Sequence, residues 1–149
     1  MISRLNNIPG NCLFFGPIKS KLGLNKVRLT ATDGPGLSRD DFRLIYALGI
    51  SVRQIYSNAE AGFISSHTEG EFDAETVGRP AVNTEIRIAN NGELLVRSNG
   101  LFDGYNNNPE KTAGVLIDGW YRTGDTARIT EKGHIVILTH NEADKAKRT

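Results

Sequence analysis

Two periods of hydrophobic alternation divide this chain. In the first half, Lys26 to Ala31 alternates, with Val27, Leu29 and Ala31 on one face, which predicts a strand. Gly34-Pro35-Gly36 breaks it. Ser38-Arg39-Asp40-Asp41 then reads as a helix start, with Ser38 as N-cap and Asp41 reaching back to it. Leu37 and Phe42 are spaced for a hydrophobic staple, Phe42, Ile45 and Tyr46 make one apolar stripe, and Gly49 is the stop. Ile50 to Tyr56 is the next strand. Strand, helix and strand at this spacing make a βαβ unit with parallel strands. Thr32-Asp33-Gly34-Pro35 and Tyr56-Ser57-Asn58-Ala59-Glu60 then both leave the carboxyl ends of their strands, the edge at which open parallel sheets bind nucleotides.

The pattern changes near Gly70 to Asp73. Thr84 to Ala89 and Glu93 to Ser98 read as short strands joined by an Asn90-Asn91-Gly92 hairpin turn. Asn108 caps a short helix with Pro109 in its first turn, ending near Asp118-Gly119. Asp125 to Ile129 and His134 to Leu138 flank Thr130 to Gly133 as a second hairpin. Short antiparallel strands with Gly-rich turns predict a small distorted β-barrel or sandwich. The expected class is α+β: an α/β lobe over residues 1–70, a β-barrel-like lobe over 71–140, and a polar tail over 141–149, with the lobe boundary around residues 66 to 76. The tail ends in Asp144-Lys145-Ala146-Lys147-Arg148-Thr149 and reads as a frayed terminus before it reads as a basic docking tail.

Composition narrows the partners. A net charge of +1 over 149 residues gives no electrostatic reason to expect nucleic acid or an anionic membrane. No apolar run approaches the ~20 residues of a transmembrane helix. Cys12-Leu13-Phe14-Phe15, followed by Gly16-Pro17, is too short for a signal-peptide core and reads as a buried turn of helix or a strand. The single cysteine, Cys12, makes no internal disulfide, fits a reducing cytosol and reads as a small buried hydrophobe. The expected location is the cytoplasm, with a peripheral membrane position as the other option.

The candidate chemistry is modest residue by residue. Tyr56 at a strand end offers a flat face for a purine, and Glu60, four residues on, offers a carboxylate of the kind that holds Mg²⁺ together with substrate phosphates. On spacing alone, an interfacial Tyr and a solvated Glu are the commoner reading. Asp125, after Thr123-Gly124 in what reads as a tight turn, has two oxygens suited to the vicinal hydroxyls of a ribose, but turn aspartates also cap their own backbone. Trp120 reads as a core or interface residue before a stacking platform, and Arg79 and Arg97 as surface or structural arginines before anion contacts. His67, His134 and His140 have no zinc-type spacing with one another or with Cys12. No nucleophile elbow, Gly-x-x-x-x-Gly-Lys loop or Gly-x-Gly-x-x-Gly is present.

Taken jointly, the motifs are specific. Leu22-Gly23-Leu24, Thr32 to Ser38, Leu48-Gly49-Ile50, Tyr56 to Glu60, Val77-Gly78-Arg79-Pro80, Gly92-Glu93, Gly104-Tyr105, Asn108 to Thr112 and Gly119 to Asp125 follow one another in the order of a large enzyme family. Over about residues 13 to 140 the chain resembles the adenylate-forming (AMP-binding) synthetases, most closely the long-chain fatty-acid–CoA ligases, and matches the later part of their large N-terminal domain. That family activates a carboxylic acid with ATP to an acyl-adenylate and passes the acyl group to CoA. The resemblance implies that Asp33, Gly34 and Pro35 border the adenine, that Tyr56 stacks on it, and that Ser57 and Ala59 belong to the same nucleotide site. It also implies that Glu60 binds the catalytic Mg²⁺, that Asp125 and His140 serve the ribose, and that Ala61, Gly62 and Phe63 lie near the acyl pocket.

Within those motifs Ala59 stands where the family has a Thr touching the α-phosphate, Ser57 where it has a Gly, and His140 where it has an Arg. The family's Ser/Thr/Gly-rich phosphate loop, its first α/β subdomain and its C-terminal domain with the catalytic Lys have no counterpart in these motifs. The expectation is therefore a partial acyl-CoA synthetase, inactive as this chain alone, for which ATP or AMP, Mg²⁺, CoA and a long-chain fatty acid or acyl-adenylate are implied by resemblance. The alternatives are a non-catalytic adenylate-binding or regulatory module and a structural remnant. Surfaces that the missing subdomains would cover are expected to be apolar or hidden by self-association.

Overall fold

The computed structural model describes residues 16–34, 37–68, 70–71 and 73–140. Cys12 to Phe15, Pro35, Gly36 and the 141–149 tail lie outside the described residues. Helix α1 (Gly16–Lys21) and a 3-10 turn (Leu24–Lys26) lead into β1 (Thr30–Thr32), α2 (Arg39–Ala47) and β2 (Val52–Asn58). Strand β1 pairs parallel with β2, Thr30 opposite Val52, as the βαβ pattern predicts. Helix α2 starts in a complete capping box: the Asp41 amide donates to Ser38 Oγ at 3.1 Å, and the Ser38 amide donates to Asp41 Oδ2 at 3.3 Å. Its apolar stripe buries Phe42 against Ile50 and Val52, with Leu37 packed beside them as the staple requires.

The predicted strand at Lys26 to Ala31 is mostly not one. Only its end pairs, and Val27 and Leu29 are 42% and 58% exposed. Alternation marks a surface that fits a sheet and does not by itself supply the partner. Two strands of the first sheet escaped the pattern altogether. Strand β3 (Gly62–Ser66) pairs antiparallel with β2 across a bulge at Tyr56/Ser57, and β4 (Arg79–Pro80) pairs with β3, giving a four-stranded sheet in the order β1-β2-β3-β4.

The second sheet is antiparallel and curled. It holds β5 (Thr84–Ile88), β6 (Glu93–Ser98), β7 (Leu116–Ile117), β8 (Trp120–Ile129) and β9 (Ile135–Thr139). The Asn90-Asn91-Gly92 and Thr130 to Gly133 turns form as read, with Gly92 and Gly133 at positive φ. Helix α3 (Pro109–Val115) is capped by Asn108, whose Oδ1 accepts from the Lys111 amide at 3.0 Å. It ends earlier than expected because Leu116 and Ile117 peel off to pair with Tyr121 and Trp120 through a tight turn, with Asp118 at φ 51° and Gly119 at φ 76°.

The larger core lies between β2–β3 and the second sheet, and includes Tyr56, Ala61, Ile64, Leu94, Val96, Tyr121 and Ile135. Gly78 closes the junction. Its carbonyl accepts from the Ile135 amide at 2.8 Å, while the neighbouring Val77 amide donates to the Ile135 carbonyl at 2.8 Å. Gly78 also sits at φ 81°, so close to Ser66 that a Cβ would lie 2.0 Å from that residue's carbonyl atoms. Only glycine admits both the conformation and the approach. Among the described residues, no helix is long and apolar enough to cross a membrane. Leu22, Leu29, Leu44 and Val82 stand 58–89% exposed, the first three of them on the α1–β1–α2 region.

Candidate functional site

The carboxyl ends of β1 and β2 meet, as parallel strands require. Asp33 follows β1 directly; its Oδ2 accepts from the Ser57 hydroxyl and its Oδ1 accepts from the Gly34 amide at 2.8 Å. Gly34 takes φ 103° there. Asp33 thus ends in a small knot with β2, and Gly34 turns away from it to line a cavity.

Tyr56 is less open than its sequence position suggests. It is 6% exposed, its ring belongs to the larger core, and its hydroxyl donates to Asp125 Oδ2 at 2.5 Å. Burial, and then the hydrogen bond to the Asp125 carboxylate, push the Tyr56 phenol far above its ordinary range, so it is a hydrogen-bond donor at any working pH. His140 Nδ1 stands 3.4 Å from the same oxygen. The structure therefore brings Tyr56, Asp125 and His140 together from three separate stretches of chain.

Asp125 does not lie in a turn. It sits inside β8, where the register against β6 shifts: Arg122 faces Leu95 and Thr126 faces Glu93. Gly124 at φ 75° takes up the irregularity, and Thr123 Oγ1 accepts the Asp125 amide at 3.0 Å while donating to the Leu94 carbonyl at 2.9 Å. An irregular position in a strand re-aims a side chain, here Asp125 toward Tyr56. Glu93 fixes the distortion from the other side: its Oε1 accepts from the Gly124 amide at 3.1 Å, and its Oε2 accepts from Arg122 at 2.7 Å. Burial raises the Glu93 pKa, but the bonds from Arg122 and the Gly124 amide outweigh it and hold the carboxyl below its ordinary value. Sequence reading missed the role of Glu93. The signal was its acid character at a core-facing end of a strand.

Glu60 lies in the turn between β2 and β3. Its backbone carbonyl accepts from the Phe102 amide at 2.8 Å, and its Oε1 accepts from the Tyr105 hydroxyl at 2.8 Å. Ala59 is exposed in the same turn, which Asn58 closes by accepting the Ala61 amide at 2.7 Å. Ala61 is buried at 2% exposure; Gly62, at φ 64°, and Phe63, at 50% exposure, face outward. Among the described residues no cluster of three metal-binding side chains occurs.

A cavity of about 170 Å³ opens beside this constellation, lined by Gly34, Leu37, Gln54, Ala74, Glu75, Thr76, Val77, Ile137 and His140. It shares Gly34 and His140 with the residues read from the sequence, whereas Ala61, Gly62 and Phe63 do not line it. Gln54 is the residue missed. Its Oε1 is buried without a hydrogen-bond partner. It precedes Tyr56 by two positions and therefore shares its face of the strand, so a polar side chain on a buried face was the available signal. Behind Thr76, the rings of His67 and His134 come within 6.0 Å; Thr76 Oγ1 bridges His67 Nε2 at 2.9 Å and His134 Nδ1 at 3.1 Å. Arg79 and Arg97 are both ion-paired, with Glu71 at 2.8 Å and Glu85 at 2.5 Å.

Comparison with known proteins shows what shares this arrangement. No protein-family model matches the chain. The long-chain-fatty-acid–CoA ligase FadD15 of Mycobacterium bovis is 30% identical over 126 residues, covering 84% of this chain and 21% of that protein. Mouse long-chain-fatty-acid–CoA ligase 5 is 32% identical over 140 residues, 85% of this chain and 20% of that protein. A malonyl-CoA ligase solved as a ternary product complex with methylmalonyl-CoA and AMP superposes with a TM-score of 0.70 at 28% identity, over 94% of this chain and 35% of that one. The chain spans about a fifth of the length of the curated relatives it matches. Over the stretch it spans, the chain resembles the acyl–CoA ligases of the adenylate-forming family in sequence and fold.

Proposed function

We propose that this chain is the adenylate-holding part of a long-chain acyl–CoA ligase, binding AMP or an acyl-adenylate and not completing the activation by itself. The observation that carries this reading is the orphaned Gln54 Oε1 lining the cavity. An unpaired buried acceptor costs about 1–3 kcal/mol, which an incoming N–H donor relieves. The amino group of adenine is such a donor. At about 170 Å³ the cavity falls below the ~300–1,000 Å³ of whole-ligand pockets. It compares instead with the ~150 Å³ cavity that accepts one aromatic ring, and so suits a base alone. Gly34, Val77 and Ile137 give that base apolar or backbone walls.

Asp125 serves the ribose next to it. A carboxylate with about four acceptor sites takes both vicinal hydroxyls while keeping a bond from Tyr56. Tyr56 then positions the carboxylate, and the expected stacking on its ring requires the ring to leave the core in which it lies. Glu60 fits Mg²⁺ by donor chemistry: one hard oxygen, Oε2, is outside the Tyr105 bond, and Mg²⁺ is bound through one or two carboxylates with phosphates and waters completing the shell. When bound, ATP would supply the adenylyl group that a carboxylic acid accepts with release of pyrophosphate, Mg²⁺ would offset the phosphate charge, and in the complete ligase CoA would take the acyl group with release of AMP. Ala59, exposed where the family motif has a Thr, contributes no hydroxyl to that chemistry, which favours binding over catalysis here.

Calorimetric titration with a non-hydrolysable long-chain acyl-adenylate tests the reading without metal. Saturable binding is expected, weakened at least about tenfold in Asp125→Ala, equivalent to about 1.4 kcal/mol. A folded chain that gives no saturable heat refutes it.

A further inference from the structure

The segment from Phe102 to Val115 has no assigned part in the site, yet it ends on Glu60. Tyr105 donates its hydroxyl to Glu60 Oε1 at 2.8 Å. The rest of Tyr105 is fixed from three directions. Its amide donates to Thr112 Oγ1 at 2.9 Å, and that hydroxyl donates on to the Asn108 carbonyl at 3.0 Å, so the first turn of α3 holds the Tyr105 backbone. Its ring meets Phe102 edge-on at 4.9 Å, and Phe102 in turn meets Tyr121 at 6.0 Å. The Lys111 ammonium lies 3.9 Å from the ring centroid, close enough for a cation–π contact that draws electron density from the phenol and sharpens its hydroxyl as a donor. Gly104 makes room for this: a Cβ there would stand 2.8 Å from Thr112 Cγ2. The Phe102 amide also holds the Glu60 carbonyl, so side chain and backbone of Glu60 are tied to one segment.

We infer that Tyr105 is a positioning residue for Glu60: its hydroxyl occupies Oε1 and so presents Oε2, as a single oriented ligand, to the Mg²⁺ that accompanies a nucleoside phosphate. The inference rests on the proposed reading of Glu60 as the cation ligand. A half-buried turn carboxylate without such a bond keeps rotational freedom, and a lone, rotating carboxylate is a poor partner for a cation that demands near-octahedral geometry. Hydrogen-bonding partners behind a metal ligand set its orientation, and removing one lowers metal affinity about 10–100-fold. The sequence motif Gly104-Tyr105 followed by Asn108 to Thr112 thereby acquires a purpose. The small helix is a bracket: its cap and its Thr hold the Tyr105 backbone, and its Lys lies over the Tyr105 ring.

The test separates metal from nucleotide. The wild-type chain and Tyr105→Phe, which keeps the ring contacts, are titrated first with the metal-free acyl-adenylate analogue and then with ATP across a Mg²⁺ series. The expected result is unchanged affinity for the analogue and a Mg²⁺ requirement for ATP binding raised about 10–100-fold. Thr112→Val, which removes the acceptor behind the Tyr105 amide and the hydroxyl's bond to the Asn108 carbonyl, is expected to shift the Mg²⁺ requirement the same way by less. An unaltered Mg²⁺ requirement in Tyr105→Phe overturns the inference, and so does an equal loss for the analogue and for ATP, because that is what a merely structural residue would give. If wild type fails to bind the analogue at all, the adenylate reading itself falls, and the inference with it.

Discussion

The two hydrophobic clusters of this chain are enclosed to very different degrees. The cluster of Phe42, Ile50 and Val52 lies under α2, and its surroundings leave Leu22, Leu29 and Leu44 largely in solvent. The cluster around Ile64, Leu94 and Ile135 is sandwiched between two sheets, with all three of those side chains at 0% exposure. The difference maps onto the site. Tyr56 and Ala61 belong to the enclosed cluster, and Asp125 and Glu60 are held by hydrogen bonds beside it; Asp33 and Gly34 hang from the end of β1, on the thinly covered side. Parallel strands are normally buried on both faces, so a three-residue parallel strand that pairs only with β2 among the described residues is thin support. Under the proposed reading, Asp125 and Glu60 are built into the enclosed half, while Asp33 and Gly34 depend on the thinly covered one.

The comparison breaks most completely at the point where the halves meet. Gly78→Ala puts a Cβ 2.0 Å from Ser66 backbone atoms at a φ of 81°. Backbone on both sides leaves nothing flexible to yield. The expected loss exceeds about 4 kcal/mol, in the exceptional range for one substitution, and urea denaturation should find the chain unfolded or nearly so. Unfolding at a denaturant concentration close to that of wild type would show that the junction is looser than the packing indicates.

Phe42→Ala sharpens the contrast instead. Removing a fully buried Phe costs about 3–5 kcal/mol, and the loss falls on the cluster that has little else. Hydrogen exchange is expected to show β1 and α2 amides losing protection while those of β6 and β8 keep theirs, because sub-global opening follows contiguous units. Uniform loss across both sheets would mean that the chain is one cooperative unit and that Asp33 and Gly34 are held as firmly as Asp125.

Sequence reading recovered the parts of this architecture that are encoded locally. The capping box at Ser38, the Asn108 cap and the Asn-Gly turn are short-range hydrogen-bonding devices, and each forms as read. The parallel β1–β2 pair followed from the length of the crossover. What escaped is set by distant partners. Strand β3 exists because β2 and β4 flank it, not because Gly62-Phe63-Ile64-Ser65-Ser66 alternates. The Thr123-Gly124-Asp125 stretch looks like a turn and is a distorted strand, because Glu93 and Leu94 lie across from it. Gln54 and Tyr105 were invisible as site residues for the same reason: what they touch lies elsewhere in the chain.

The histidine pair at the junction gives the smallest and most specific test. His67 is 1% exposed; its Nδ1 accepts from the Gln54 amide at 3.2 Å, and its Nε2 meets Thr76. Burial and then the nearby His134 lower its pKa, against a smaller opposing pull from Asp73. Above the ordinary value of 6.5, both folded and unfolded chains hold it neutral, and its contribution to stability is intact. As pH falls below 6.5, the unfolded chain takes up a proton that folded His67 resists, so stability declines down to the lowered folded value. Glu71, held at about 2 chiefly by Arg79 and Thr68, loses its contribution only below 4.5, and lowered Glu93 does so in the same acid range. Among the groups with a clear shift, the fall beginning at 6.5 therefore belongs to His67. Chemical denaturation between pH 7 and 5 should show wild-type stability dropping and His67→Gln, which keeps a polar group beside Thr76, staying flat. Because His67 ties Gln54 of the first sheet to Thr76, and thence to His134 beside the second, its protonation should also lower the affinity of the Gln54-lined cavity for the proposed adenylate analogue. A parallel decline in both proteins would place the acid sensitivity elsewhere and uncouple that junction from the cavity beside it.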